Sequence, residues 1–218
     1  MLEKSKAELN KIKAMDKEKR WDYFKTYYLK ITIALLIGIV LFGWFVKDTI
    51  FQKTGACMGC AYEVEITDEQ KEILTDGYLE YYGLNPRKYS AALATDNMFE
   101  GTDQQMDANS HEMALFAQIA AGEIYYLILD EATLNMYSNG GIYYRLDEIF
   151  DNSTLDSLQG MTVDVKDYGS EDKYPTAIDL KKLGFLEGDE EGYLVFTIGI
   201  PDPEFPVRLL DYLRAKTS

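Results

Sequence analysis

Residues 31–46 carry no charge, with Lys30 before them and Lys47-Asp48 after them. Wound as an α-helix at about 1.5 Å per residue, the run spans roughly 24 Å, and snorkelling by Lys30 and Lys47 extends it towards the roughly 30 Å of a hydrocarbon core. A bilayer is the natural solvent for such a stretch. It predicts one transmembrane helix over 30–47 and divides the remainder into a basic tail, 1–29, a short stalk, 48–60, and a domain, 61–218.

Charge sets the expected orientation. Up to Lys30 the chain holds nine Lys/Arg against five Asp/Glu, and the other 188 residues hold thirteen against thirty-two, a balance of +4 against −19. The positive-inside bias then puts the tail in the cytoplasm and the domain outside the cell membrane. Trp21, Tyr23, Phe24, Tyr27 and Tyr28 at one boundary, with Trp44 and Phe45 at the other, suit the headgroup level. A cleaved secretion signal is disfavoured, because thirty residues precede the apolar run and Gly-Trp-Phe-Val-Lys-Asp stands where a small-x-small cut site belongs. A lipoprotein signal at Thr54-Gly55-Ala56-Cys57 is disfavoured too, since Cys57 lies well beyond the run. The acidic surplus of the domain repels polyanions, which excludes nucleic acid as a partner.

Cys57 and Cys60 are the only cysteines and fall in Gly-Ala-Cys-Met-Gly-Cys. Outside the cytoplasm thiols can oxidise, so the pair reads as a small disulfide or as two free thiols, ahead of an inter-chain link, and the disulfide is the expectation. A redox Cys-x-x-Cys opens a helix after a strand, whereas this pair precedes the expected strand at 62–66. Two cysteines and the single histidine, His111, do not complete a four-ligand zinc site. No metal and no other cofactor is expected.

Within the domain, two periodicities alternate. Residues 61–66 read as a strand, and Thr67-Asp68-Glu69-Gln70 combines a capping residue with a Gln three places on, which starts a helix. Ile73, Leu74, Tyr78 and Tyr81 continue it at helical spacing, and Gly83 ends it. A second strand is expected at 89–95, and a solvated loop at 97–109, whose acids do not reproduce a calcium loop because Met98 stands between Asp96 and Glu100. Met113, Leu115, Phe116, Ile119 and Ala120 form a helical stripe that stops before Gly122. Residues 124–129 are continuously apolar, as in a strand buried on both faces, and 131–137 form a short helix. Short helical turns at 146–150 and 154–158, a strand at 161–165, a loop at Tyr174-Pro175, a strand at 193–200 and a closing helix through Val207, Leu210 and Leu213 complete the domain. Such alternation predicts an α/β fold, with a mixed, mostly parallel sheet flanked by helices.

The segment Gln118-Ile119-Ala120-Ala121-Gly122-Glu123-Ile124-Tyr125-Tyr126-Leu127-Ile128-Leu129-Asp130, with Gly141-Ile142-Tyr143-Tyr144-Arg145-Leu146-Asp147 after it, resembles bacterial extracytoplasmic solute-binding proteins of the two-lobed periplasmic kind. The tail is similar to that of single-span surface proteins of Gram-positive anaerobes that carry such a domain. The resemblance implies one lobe of that fold on a single-span anchor, with a small solute as ligand. Those proteins often have Asp where this chain has Tyr125 or Tyr126, and the domain has the length of one lobe, not two.

Three functions are compatible with these observations. A membrane-anchored binding or sensing module without chemistry of its own is the leading one; an assembly protein docking a partner membrane protein is the second, and an enzyme acting at the cell surface the third. In open α/β sheets ligands sit beyond the carboxyl ends of the strands, which points to Thr95, Asp96, Asp130 and Glu131. Asp130 is equally placed to cap the helix after it.

Overall fold

Where a cap or a glycine fixes its end, each expected helix forms at its expected place. In the computed structural model, which describes residues 16–50, 53–95, 108–166, 169, 172–188 and 190–217, the Gln70 backbone N–H donates to Thr67 Oγ1 and the Thr67 N–H donates to Gln70 Oε1. That capping box satisfies two N–H groups that a helix start otherwise leaves without partners. Gly83 and Gly122, at φ +61° and +69°, end the two helices at the expected positions. Thr133 N–H donates to Asp130 Oδ1 at 2.8 Å, so the short helix begins at Glu131.

The chain divides into two units, Met1–Gln52 and Lys53–Ser218. The first contains α1 (Lys17–Tyr27) and α2 (Leu29–Ile50). Ile31, Leu35, Val40 and Phe42 of α2 are 61, 61, 68 and 68 % exposed, so these apolar side chains are not buried against protein. Among the described residues no single helix is long and apolar enough to cross a membrane. By length and composition, α1 and residues 29–44 pass that test together, across a bend of 62°.

The second unit holds β1 (Thr54–Tyr62), α3 (Asp68–Glu72), a π-helical turn (Ile73–Gly77), α4 (Tyr78–Tyr81), β2 (Tyr89–Thr95), α5 (Ala108–Ala120), β3 (Tyr126–Leu129), α6 (Glu131–Tyr137), α7 (Leu146–Ile149), α8 (Asn152–Ser157), β4 (Thr162–Lys166), β5 (Lys173–Asp179), β6 (Tyr193–Phe196) and α9 (Phe205–Thr217). The six strands form one sheet in the order β2-β1-β3-β6-β5-β4. Both neighbours of β1 run parallel to it, whereas the β3–β6, β6–β5 and β5–β4 pairs are antiparallel. The fold class is therefore α/β with a mixed sheet, but it is not mostly parallel. Parallel neighbours need a crossover helix between them; among the described residues from 162 to 196 there is no helix, which suits antiparallel pairing.

Three further expectations are corrected. The first strand is Thr54–Tyr62 and not 61–66, so the expected stalk, 48–60, lies largely inside the sheet. Gly55 and Gly59 concealed it, because glycine disfavours strands unless something must approach closely. Here the Tyr126 ring lies over Gly59, and a Cβ there would come within 2.1 Å of the ring. Tyr174-Pro175 belongs to β5 and not to a loop. Pro175 is tolerated because it faces the irregularity between Val163 and Asp164 of the edge strand and lies outside the β5–β6 ladder. Finally, Cys57 and Cys60 are free thiols and not a disulfide. Three places apart on a strand, their side chains leave opposite faces of the sheet.

The core confirms those faces. Cys57, Ala61, Tyr126, Ile128 and Phe196 pack with Leu74, Tyr78, Phe205, Leu209 and Tyr212 on one side. Cys60, Leu127, Leu129 and Val195 pack with Leu115, Ile119, Leu134 and Tyr137 on the other. Helices thus cover both faces, and β3, buried at all four residues, reads correctly as a two-sided strand.

Candidate ligand site

β1 lies between two parallel strands, β2 and β3, that leave it in opposite directions, so the chain has a topological switch point at the carboxyl ends of β1 and β3. The expected site residues that are described, Thr95, Asp130 and Glu131, fall along this edge without converging. Thr95 closes β2 opposite Ala61, and Leu129, just before Asp130, pairs with Tyr62. Two strand spacings of about 4.8 Å therefore part their backbones. Thr95 lines an open, mainly polar depression of about 730 Å³ with Glu63, Glu65, Asp68 and Lys71. Asp130 faces its own helix and is engaged as its cap, and Glu131 is exposed in the first turn. Asp96 lies outside the described residues.

At the opposite, amino edge of β1 and β3 there is a cavity of about 490 Å³ that sequence reasoning missed. Five pieces of chain converge on it. The first residues of β1 (Thr54, Gly55, Ala56) and of β2 (Tyr89) supply one wall, and Tyr78, Tyr82 and Leu84 at the end of the helical crossover supply another. Tyr125, just before β3, and Pro201, Asp202, Phe205 and Arg208, around the start of α9, complete it.

Backbone close approach builds this end. Tyr125 Oη donates to the Gly55 carbonyl at 3.1 Å, and a Cβ on Gly55 would stand 2.6 Å from that hydroxyl. The π-helical turn before Tyr78 is held open in the same way: Tyr212 Oη donates to the Ile73 carbonyl at 2.8 Å, and a Cβ on Gly77 would lie 2.7 Å from the hydroxyl. Such a turn widens the helix by one residue and re-aims the side chains beyond it. Those side chains are Tyr78 and Tyr82, packed ring to ring at 5.0 Å.

The polar groups of the walls are largely occupied by one another. Tyr82 Oη donates to the Arg208 carbonyl at 2.7 Å. Arg208 donates to Asp202 and to the Tyr78 hydroxyl, and its Nη1 lies 3.6 Å from Glu204 Oε2. Burial opposes the charge on Arg208, but its hydrogen bonds with Asp202 and Tyr78 outweigh this and raise the guanidinium pKa. The same hydrogen bond holds the Asp202 carboxyl below the usual carboxylate range. Burial pushes the Tyr78 hydroxyl up to about 12, with Arg208 opposing it. The cavity is thus mainly apolar and aromatic, with the Arg208–Asp202 ion pair on its wall and the exposed Glu204 beside it.

The one cysteine beneath this edge is not activated as a nucleophile. Burial pushes the Cys57 thiol, beneath the cavity, up to about 12, and its Sγ contacts Tyr126 Oη at 3.9 Å. A thiol that keeps its proton is a packing group. Among the described residues no cluster of three or more His, Cys, Asp or Glu is arranged to hold a metal ion. A signal for the cavity was present in the sequence: Tyr78, Tyr82, Tyr89 and Tyr125 all stand next to strand or helix ends. Nothing local showed that those ends share one edge of the sheet. Comparison of the chain with protein-family models, with curated proteins and with solved structures finds no match.

Proposed function

We propose that this chain is a membrane-anchored, extracytoplasmic binding module without chemistry of its own, and that its ligand occupies the tyrosine-walled cavity at the amino edge of the sheet. The observation that supports this most is the cavity itself. It has the size of small-molecule sites, is walled mainly by apolar and aromatic side chains, and has a few polar groups fixed in place. The anchor rests on the uncharged run 31–46, on its exposed apolar side chains and on the charge balance of +4 against −19 across it. The resemblance to one lobe of a solute-binding protein points the same way.

The test is thermal unfolding of the full chain in lipid nanodiscs across uncharged sugars, amino acids and aromatic solutes, beside Ala56→Phe, which fills the cavity. A ligand that binds only the folded state raises the melting temperature. At least one solute class is expected to do so for the parent chain and not for the variant. A silent panel, or shifts that survive Ala56→Phe, overturns the reading. For the orientation, protease added to intact cells is expected to digest the domain and spare the tail; the reverse pattern contradicts it.

A further inference from the structure

Resting on that reading of the cavity, we infer that its ligand carries an uncharged, largely apolar group, and that Asp202 determines this specificity by occupying the guanidinium of Arg208. Arg208 is the cation on the cavity wall and, left alone, would select an anion. Asp202 lines the same cavity and is bonded to it, so within the lining the pair presents a dipole in place of a net charge; Glu204, 3.6 Å from the guanidinium, is exposed and lies outside the lining. The Tyr82 and Tyr125 hydroxyls are spent on backbone carbonyls, which leaves ring faces as the main surface on offer. The pair is partly exposed, so an ionic ligand is disfavoured mainly because it must displace a partner that the backbone already holds in place. The geometry makes Asp202 an internal stand-in for an anionic ligand. It is fixed in that role from the backbone as well, since the Glu204 N–H donates to Asp202 Oδ1 at 3.0 Å.

Three probes of one size and shape separate the possibilities: benzamide, benzoate and benzamidinium, which are neutral, anionic and cationic. Their binding to the full chain in nanodiscs is read by saturation-transfer NMR, with competition among them. The parent chain is expected to prefer benzamide by about tenfold over either ion, which corresponds to one unit of log Kd. Asp202→Asn keeps the Oδ1 that accepts from Glu204 N–H and removes the charge, so preference is expected to pass to benzoate by a similar factor. Arg208→Gln leaves Asp202 alone on the wall and is expected to pass preference to benzamidinium. Circular dichroism and the melting temperature of each variant establish that it is folded. Equal binding of benzamide and benzoate by the parent chain, or an unchanged ranking in folded Asp202→Asn and Arg208→Gln, overturns the role of Asp202 and leaves the cavity as the site. No binding of any probe to the parent chain overturns the cavity reading itself, and this inference with it. A photoactivatable acyl chain on a zwitterionic lipid distinguishes two sources of an apolar group. Labelling of Tyr89 that benzamide suppresses assigns the group to the bilayer, and benzamide binding without such labelling assigns it to a free solute; both outcomes support the uncharged class.

Discussion

The two edges of the sheet differ in what their polar side chains do. At the carboxyl edge the expected site acids do not meet in one cavity: Asp130 caps α6, Glu131 is exposed, and the depression beside Thr95 is lined by other, mostly charged side chains. At the amino edge, tyrosines and one ion pair converge from five pieces of chain onto an open, mainly apolar cavity. The general rule for open α/β sheets favours the first edge. That rule describes sheets whose strands are all parallel near the switch point. Here β6 runs antiparallel to β3, so its carboxyl end and the start of α9 arrive at the amino edge and roof it. The antiparallel β3–β6 pairing is what brings residues 201–208 to the amino edge, where they complete the apolar cavity.

The largest effect expected on that contrast comes from Gly59→Val. A side chain there collides with the fully buried Tyr126 ring beneath the amino edge, and overpacking of this kind costs about 3 kcal/mol or more. Denaturant unfolding of the variant reads the loss, and a change near zero would show that the amino edge is loosely built.

Alkali acts on the same edge. The Cys57 thiol has an ordinary value of 9.0 and is held at about 12 when folded, so between those values the folded state keeps a proton that the unfolded chain has released. Stability is therefore full below about pH 9 and falls as pH rises through that window, by up to about 1.4 kcal/mol per pH unit. Tyr78 and Tyr212, both raised to about 12 mainly by burial, add to the fall above pH 10. Melting curves from pH 8 to 11 measure the slope, and Cys57→Ala is expected to flatten its first part.

Tyr212→Phe sharpens the comparison at the level of one bond. It removes the donor to the Ile73 carbonyl at the π-helical turn and is expected to cost about 1.5 kcal/mol. Hydrogen exchange should quicken along residues 73–82 while the carboxyl edge stays unchanged.

The smallest effect is expected at the carboxyl edge. Asp130→Asn keeps a capping oxygen for Thr133 N–H, so stability should change by only a few tenths of a kcal/mol and benzamide binding not at all, while Asp130→Ala should cost about 1 kcal/mol through the lost cap. Loss of binding in Asp130→Asn would return the site to the edge that the strand pattern alone suggests.

Much of the fold was legible because it was announced locally. The Thr67–Gln70 capping box, the Asp130 cap, the Gly83 and Gly122 stops, the 89–95 strand and the unbroken apolar run before Leu129 each carry their signal within a few residues. The features that sequence reading missed depend on distant partners. β1 was hidden by Gly55 and Gly59, whose reason is the Tyr125 and Tyr126 side chains some seventy positions on. β5 was hidden by Pro175, tolerated only because the facing strand is irregular there. Cys57 and Cys60 suggested a bond by their spacing, which a strand forbids and a turn would allow. The cavity was illegible for the same reason: its wall residues run from Thr54 to Arg208, and only the strand order brings them to one edge.

The most direct test of where ligand binds is hydrogen–deuterium exchange of the full chain in nanodiscs, with and without saturating benzamide. Binding at the amino edge predicts slower exchange at residues 54–56, 82–84 and 201–208, with no change at 63–66 or 130–133. Protection confined to 63–66 and 130–133 would contradict it.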